Sequence, residues 1–257
     1  MARPLAVSSP PMSPLPPLFL LPLAALLGGC APAESQAGRV RVLASASLEE
    51  AFVDLGARFE ASRPGSRFEL HTAGTPRLVL QLAEGAPAEV FASADRRSME
   101  RALESGRIAG EPALFAHGSL VLVTAPGNPH GIEELSDLER EELVVVLCGP
   151  EVPAGRYARA ALAAAGTSVR SASDEPSVRA ALMRVALGEA DAAIVYTTDA
   201  AAAGDRVQPV ELSALAEPRA DYTLAVLDGD ELGSAFVDFV LGPEGRAVLI
   251  DHGFEVP

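Results

Sequence analysis

"VRVLASASLEEAFVDLGARF", Val40 to Phe59, decides how the chain is to be read. Its opening residues carry the apolar alternation of a buried strand, and from Leu48 onward the apolar residues recur at helical spacing. The join is Ala44-Ser45-Ala46-Ser47, four small residues with two hydroxyls and no Gly, Asn or Pro to turn the chain. A strand that enters a helix through small residues leaves the first helical amides open, because those N–H groups have no acceptor inside the helix. The helix dipole makes the same place weakly positive, so it can hold an anion without any cation. Ser47 precedes Glu50 at the spacing of a capping box.

The same alternation continues along the chain. Strands are expected at 40–43, 67–71, 90–92, 120–124, 144–148, 192–196 and 222–227, and helices at 48–62, 77–84, 98–105, 156–165, 178–187, 232–241 and 243–251. Strands that alternate with helices predict an α/β fold of mostly parallel sheets. Gly85, Gly106, Gly166 and Gly188 stand where left-handed residues close helices. Three further helix starts repeat the small or hydroxyl character of the first. Thr75 precedes Pro76, "EVPAG" leads through Pro153-Ala154-Gly155, and "DEPSV" leads through Pro176-Ser177 to Val178. Tyr196 ends an apolar strand. Taken one at a time, Ser47 and Thr75 read as plain helix caps and Tyr196 as a tyrosine at the edge of the core. Ala154 and Val178 have only backbone amides to offer.

Composition narrows the field. The 257 residues suffice for one large domain or two lobes, and 49% of them are hydrophobic. The formal net charge of -15 argues against nucleic acid and anionic lipid as partners. All 20 basic residues are Arg, which removes lysine Schiff-base chemistry and the phosphate-loop lysine. At the N-terminus, "LFLLPLAALLGGC" is an apolar run too short to span a membrane. Leu27-Gly28-Gly29-Cys30 is similar to a bacterial lipoprotein signal, in which the cysteine is acylated; an ordinary cleavable signal is the alternative. Residues 1–29 are therefore expected to be a signal peptide, Cys30 the lipidated residue, and 30–38 a tether to the outer face of a membrane. Cys148, in "LVVVLCGP", reads as a core cysteine.

The whole pattern resembles the molybdate-binding proteins of bacterial molybdenum ABC transporters, from about Val40 to Phe254. The marks are "LASASLEEAF", "EGAPAEVFASAD", "PEVPAGRYARAAL", "SVRAAL", "GEADAAIVYTTDA" and "GPEGRAVLIDHGF". The resemblance implies a two-lobed periplasmic-binding-protein fold with two crossing hinge strands, 120–124 and 222–227. Lobe 1 would comprise 39–118 and 226–257, and lobe 2 would comprise 119–225. It implies a monomer that binds molybdate, and with it tungstate, in the cleft and delivers it to a membrane permease. Carried over by local alignment, the oxyanion-binding residues are Ser47, Thr75, Ala154, Val178 and Tyr196. The second loop, serine-rich in the family, is here "HTAGTPRL", with one Thr and then Pro76, which has no amide hydrogen.

Such a donor set suits a dianion. Pairing it with a buried Arg would add a second desolvation cost, which fixed dipoles avoid. Hydrogen bonds to charged groups contribute roughly 1.5–3 kcal/mol each, so several can reach micromolar binding, about -8 kcal/mol, after ordering costs. A pocket of donors alone leaves the hydroxyl of a protonated phosphate unpaired. Three other readings are set against this one. A serine hydrolase lacks the Gly-x-Ser-x-Gly context, and His71, His117, His130 and His252 are scattered without metal-binding spacing. A binding protein for sulfate or another solute keeps the fold and changes the ligand. An interaction lipoprotein keeps the fold and loses the ligand. Neither enzyme activity nor a cofactor is expected.

Overall fold

The computed structural model describes residues 38–215 and 219–257. The leader, Cys30 and the tether up to residue 37 lie outside the described residues.

Strand β1 (Arg39–Ser45) is buried from Val42 through Leu43, Ala44 and Ser45, and it stops at a single 3-10 turn, Ala46–Leu48, before α1 (Glu49–Ser62). The capping box expected between Ser47 and Glu50 does not form. The residue at the cap of α1 is Leu48, with no side-chain cap bond, and Glu50 instead pairs with Arg179. The extra turn moves the α-helix one residue beyond the position the spacing implied. Helix α1 sets Phe52, Leu55 and Phe59 into the core, where Phe59 meets Phe236 edge to face, with ring centroids 5.2 Å apart.

The first sheet continues with β2 (Arg67–Ala73), α2 (Thr75–Ala83), β3 (Val90–Ser93), α3 (Arg96–Leu103) and β4 (Ile108–Gly118). The second sheet follows with β5 (Leu120–Thr124), β6 (Val145–Cys148), α4 (Pro153–Ala164), β7 (Asp174–Glu175), α5 (Val178–Ala186), β8 (Ala192–Tyr196), α6 (Thr197–Ala203) and β9 (Gln208–Val210). The chain then returns through β10 (Ala220–Leu227) to the first sheet and ends with α7 (Glu231–Leu241) and α8 (Pro243–Asp251). The strand orders are β2-β1-β3-β10-β4 and β7-β6-β8-β5-β9.

This is the two-sheet α/β architecture expected, except that both sheets are mixed. In the first, β1 is parallel to β2 and β3, while β10 is antiparallel to β3 and β4. In the second, β6 is parallel to β7 and β8, while β5 is antiparallel to β8 and β9. Strand β4 is a further element that periodicity does not announce. Gly110 and Pro112 break its pattern, and its pairing with β10 carries register shifts. Gly118 at the end of β4 pairs with Ala220 at the start of β10. The chain leaves the first sheet through Ser119 and re-enters it at Ala220, so departure and return share one corner of that sheet. Strand β10 runs in the first sheet over its whole length and β5 in the second, so the expected hinge strands 120–124 and 222–227 each stay within one sheet, and 220–225, expected in lobe 2, pair with the first sheet instead.

The interior is continuous between the two sheets, and Tyr196 of β8 meets Tyr222 of β10 with centroids 5.7 Å apart. A second cluster, including Leu43, Leu78, Leu82 and Phe91, fills the other face of the first sheet under α2 and α3. Among the described residues no helix is long and apolar enough to cross a membrane.

Candidate functional site

The ends of β1 and β8 and the starts of α2, α4 and α5 converge on one cavity of about 10 Å³. That is room for about one water-sized sphere, far below the roughly 300–1,000 Å³ of pockets for drug-sized ligands, so only a small solute suits it. The first lobe contributes Ser45 and Thr75, 5% and 1% exposed, whose hydroxyls lie 3.0 Å apart. The second contributes Ala154, Ser177, Val178 and Tyr196. No acidic or basic side chain lines the cavity among the described residues.

Each wall residue is placed by its local sequence. Thr75 is the first residue of α2, so its amide has no intrahelical acceptor; Pro76 behind it loses only a hydrogen that would also have been an orphan. Val152 precedes α4 with Pro153 at the first helical position, and the first amide that can point outward is that of Ala154. The helix can start there because Gly155 has no side chain. A Cβ at Gly155 would overlap the carbonyl oxygens of Cys148 and Gly149. At α5, the Ser177 hydroxyl accepts from Ala180 N–H at 3.2 Å, leaving the amide of Val178 to the cavity.

Tyr196 supplies the second lobe's hydroxyl. It is 1% exposed, and its oxygen has no hydrogen-bond partner among the described residues. Burial holds this phenol well above its ordinary pKa, so it stays a neutral donor. A buried O–H without an acceptor costs about 1–3 kcal/mol, which an acceptor in the cavity would recover.

Four of the five residues expected from the sequence, Thr75, Ala154, Val178 and Tyr196, therefore share the cavity. Ser47 stands behind it. Its hydroxyl accepts from Tyr222 O–H at 3.0 Å, and it lines a wider neighbouring groove with Glu50, Asp251 and His252. That groove, about 380 Å³, carries the acidic side chains of Glu50 and Asp251, so it is the poorer place for an anion.

Sequence reasoning missed Ser45, which takes the cavity-lining place because β1 ends on it. It also missed Gly74, whose absent side chain lets the loop before α2 meet the second lobe. A Cβ there would overlap the carbonyl oxygen of Pro176. The glycine in "HTAGTP" is the one signal that could have pointed to that approach. Cys148 is buried, with its thiol pushed up to about 12 by burial, as befits a core residue. Among the described residues no cluster of His, Cys, Asp and Glu could hold a metal ion.

Two lobes around a small cavity of donors are the build of a solute-binding protein. The profile of the bacterial extracellular solute-binding protein family matches residues 40–255, and the chain belongs to that family. It is 38% identical over 239 residues to the molybdate-binding protein ModA of Mycobacterium tuberculosis, covering 90% of this chain and 92% of that protein. Among solved structures, the periplasmic molybdate-binding protein of Azotobacter vinelandii is similar in fold, with a TM-score of 0.71 at 20% identity over 85% of this chain and 99% of that one. The sulfate-binding protein SubI of Mycobacterium tuberculosis is also similar, with a TM-score of 0.73 at 19% identity over 84% and 86%.

Proposed function

We propose that the chain captures molybdate, and with it tungstate, in the cavity between its lobes and delivers the ion to an ABC permease. The observation that carries this reading is the buried Tyr196 hydroxyl, left without a partner in a cavity otherwise walled by helix starts and the hydroxyls of Ser45 and Thr75. A fully deprotonated tetrahedral dianion accepts from every side, as this lining requires. The 38% identity to ModA over most of both chains supports molybdate as the ion. The anion would take the hydroxyls of Ser45, Thr75 and Tyr196 and the amides of Ala154 and Val178, while Ser47 lies outside the cavity with its hydroxyl held by Tyr222.

The chain works by binding and release, without catalysis, as a monomer of two lobes. It acts outside the cytoplasm, anchored through a lipid on Cys30. Calorimetric titration of the purified protein with molybdate, tungstate, sulfate and phosphate at neutral pH tests the reading. Molybdate and tungstate should bind at micromolar Kd or tighter, about -8 kcal/mol, with sulfate weaker and phosphate giving no heat. A preference for sulfate would replace the ligand. Silence with all four, from folded protein, would remove the function.

A further inference from the structure

Helices α4 and α5 do more than present amides. Each carries an arginine in its first turn, and each arginine crosses to a carboxylate of the other lobe. Arg156, two residues after Ala154, pairs with Asp95, which follows the cavity-lining Ala94 and caps α3 by accepting from Ser98 N–H at 2.8 Å. Arg179, next to Val178, pairs with Glu50 and, at 3.5 Å, with Glu49, and donates to the carbonyl oxygen of Ala46 at 3.2 Å. Both crossings thus flank the same cavity.

From this juxtaposition we infer that Arg156 and Arg179 are positioning residues that latch the cleft shut over its ligand and set how slowly it leaves. The inference rests on the binding reading above, but its geometry does not depend on which anion is bound. The two latches differ in weight. The Arg156 and Asp95 side chains are 19% and 4% exposed in the closed cleft. Without Arg156, closing would strand the Asp95 carboxylate away from water, whereas an open cleft would hydrate it. The penalty therefore falls on the closed state alone. Arg179 and Glu50 are 33% and 41% exposed, so solvent already screens that pair and its loss matters less. Neither latch touches the open form that an anion first meets, which places the effect on release rather than on capture.

The test is stopped-flow measurement of molybdate association and dissociation with the purified protein and its variants. Arg156→Ala should raise koff at least tenfold and Arg179→Ala about threefold, with kon within twofold of the native value in both. Adding Asp95→Asn to Arg156→Ala should recover most of the loss, because Asn still caps α3 while the stranded charge is gone. Arg58→Ala, which breaks an ion pair with Asp54 inside α1, should leave both rates unchanged. An unchanged koff in both latch variants, or no recovery in the double variant, overturns the inference. Small-angle scattering provides a readout without ligand turnover: Arg156→Ala should have the larger radius of gyration. If the native protein binds no oxyanion, the functional reading fails, and equal radii for native and Arg156→Ala would then reject the latch as well.

Discussion

The two lobes meet the cavity with different chemistry. The first offers side-chain hydroxyls, Ser45 and Thr75; the second offers helix starts at Ala154 and Val178, with Tyr196 as its hydroxyl. On the hydroxyl side the donor is written in the identity of the residue. On the amide side it is written in where a helix begins, which Pro153, Gly155 and the Ser177 cap decide. Substitutions should therefore act in different ways: removing a hydroxyl, Ser45, Thr75 or Tyr196, weakens binding directly, while the helix starts at Ala154 and Val178 respond only when their backbone is moved.

Gly74→Ala is the strongest way to break that division, because it asks the hydroxyl lobe to depend on backbone. The added methyl would overlap the Pro176 carbonyl oxygen across the cleft, and neither partner is the end of a flexible side chain. In an open cleft the same methyl meets nothing from the second lobe. Molybdate affinity should fall at least a hundredfold, while the melting temperature of the ligand-free protein stays within about 5 °C. Titration and calorimetry on the same sample separate the two. Retained affinity would mean that the cleft closes without this contact, and a collapse in stability would mean that Gly74 serves the first lobe's fold instead.

Thr75→Val sharpens the comparison with a smaller effect. The shape is kept and only the hydroxyl goes, together with its contact to Ser45 at 3.0 Å. A hydrogen bond to a charged group contributes roughly 1.5–3 kcal/mol, so Kd should rise about tenfold or more with little change in stability. The matching change on the amide side, Val178→Ala, should stay within about threefold in Kd, since it leaves the backbone donor in place and its packing cost falls on stability. Similar losses in both variants, read by titration, would erase the distinction between the halves.

The same division explains what the sequence discloses. Thr75, Ala154, Val178 and Tyr196 are legible because each stands at a junction marked by composition: Thr-Pro, Pro-Ala-Gly, Pro-Ser-Val and the end of an apolar strand. Ser45 is not, because two serines two residues apart are equally good candidates until the length of the 3-10 turn is known. Strand β4 is hidden by its own glycines and proline, and only its long pairing with β10 makes it a strand. The latches are hidden for a different reason. Arg156 and Asp95 lie 61 residues apart, and Arg179 and Glu50 lie 129 apart, so no local spacing encodes them.

Behind Tyr196, the second lobe also holds a buried acid. The Asp199 carboxylate accepts from Tyr196 N–H, and its Oδ2 has no partner among the described residues. Burial pushes its pKa up to about 7, against the smaller opposing pull of Arg179 and that N–H. Tyr222 and Cys148, its other titratable neighbours, are held neutral by their own burial. Between the unfolded carboxylate value, about 3.9, and about 7, the folded state keeps a proton that the unfolded chain has released. The contribution of Asp199 is thus fully present below about pH 4 and is lost as pH rises, at no more than about 1.4 kcal/mol per unit. Asp199→Asn removes that slope, so urea unfolding from pH 5 to 8 should show the variant gaining on the native protein up to about pH 7 and then holding level. Ligand affinity at pH 8 should change less than for Thr75→Val, because this acid lies behind the donor and does not line the cavity. A native-minus-variant difference that stays flat across the range would mean that Asp199 is ionised throughout, and the second lobe would then hold a buried negative charge close behind its anion site.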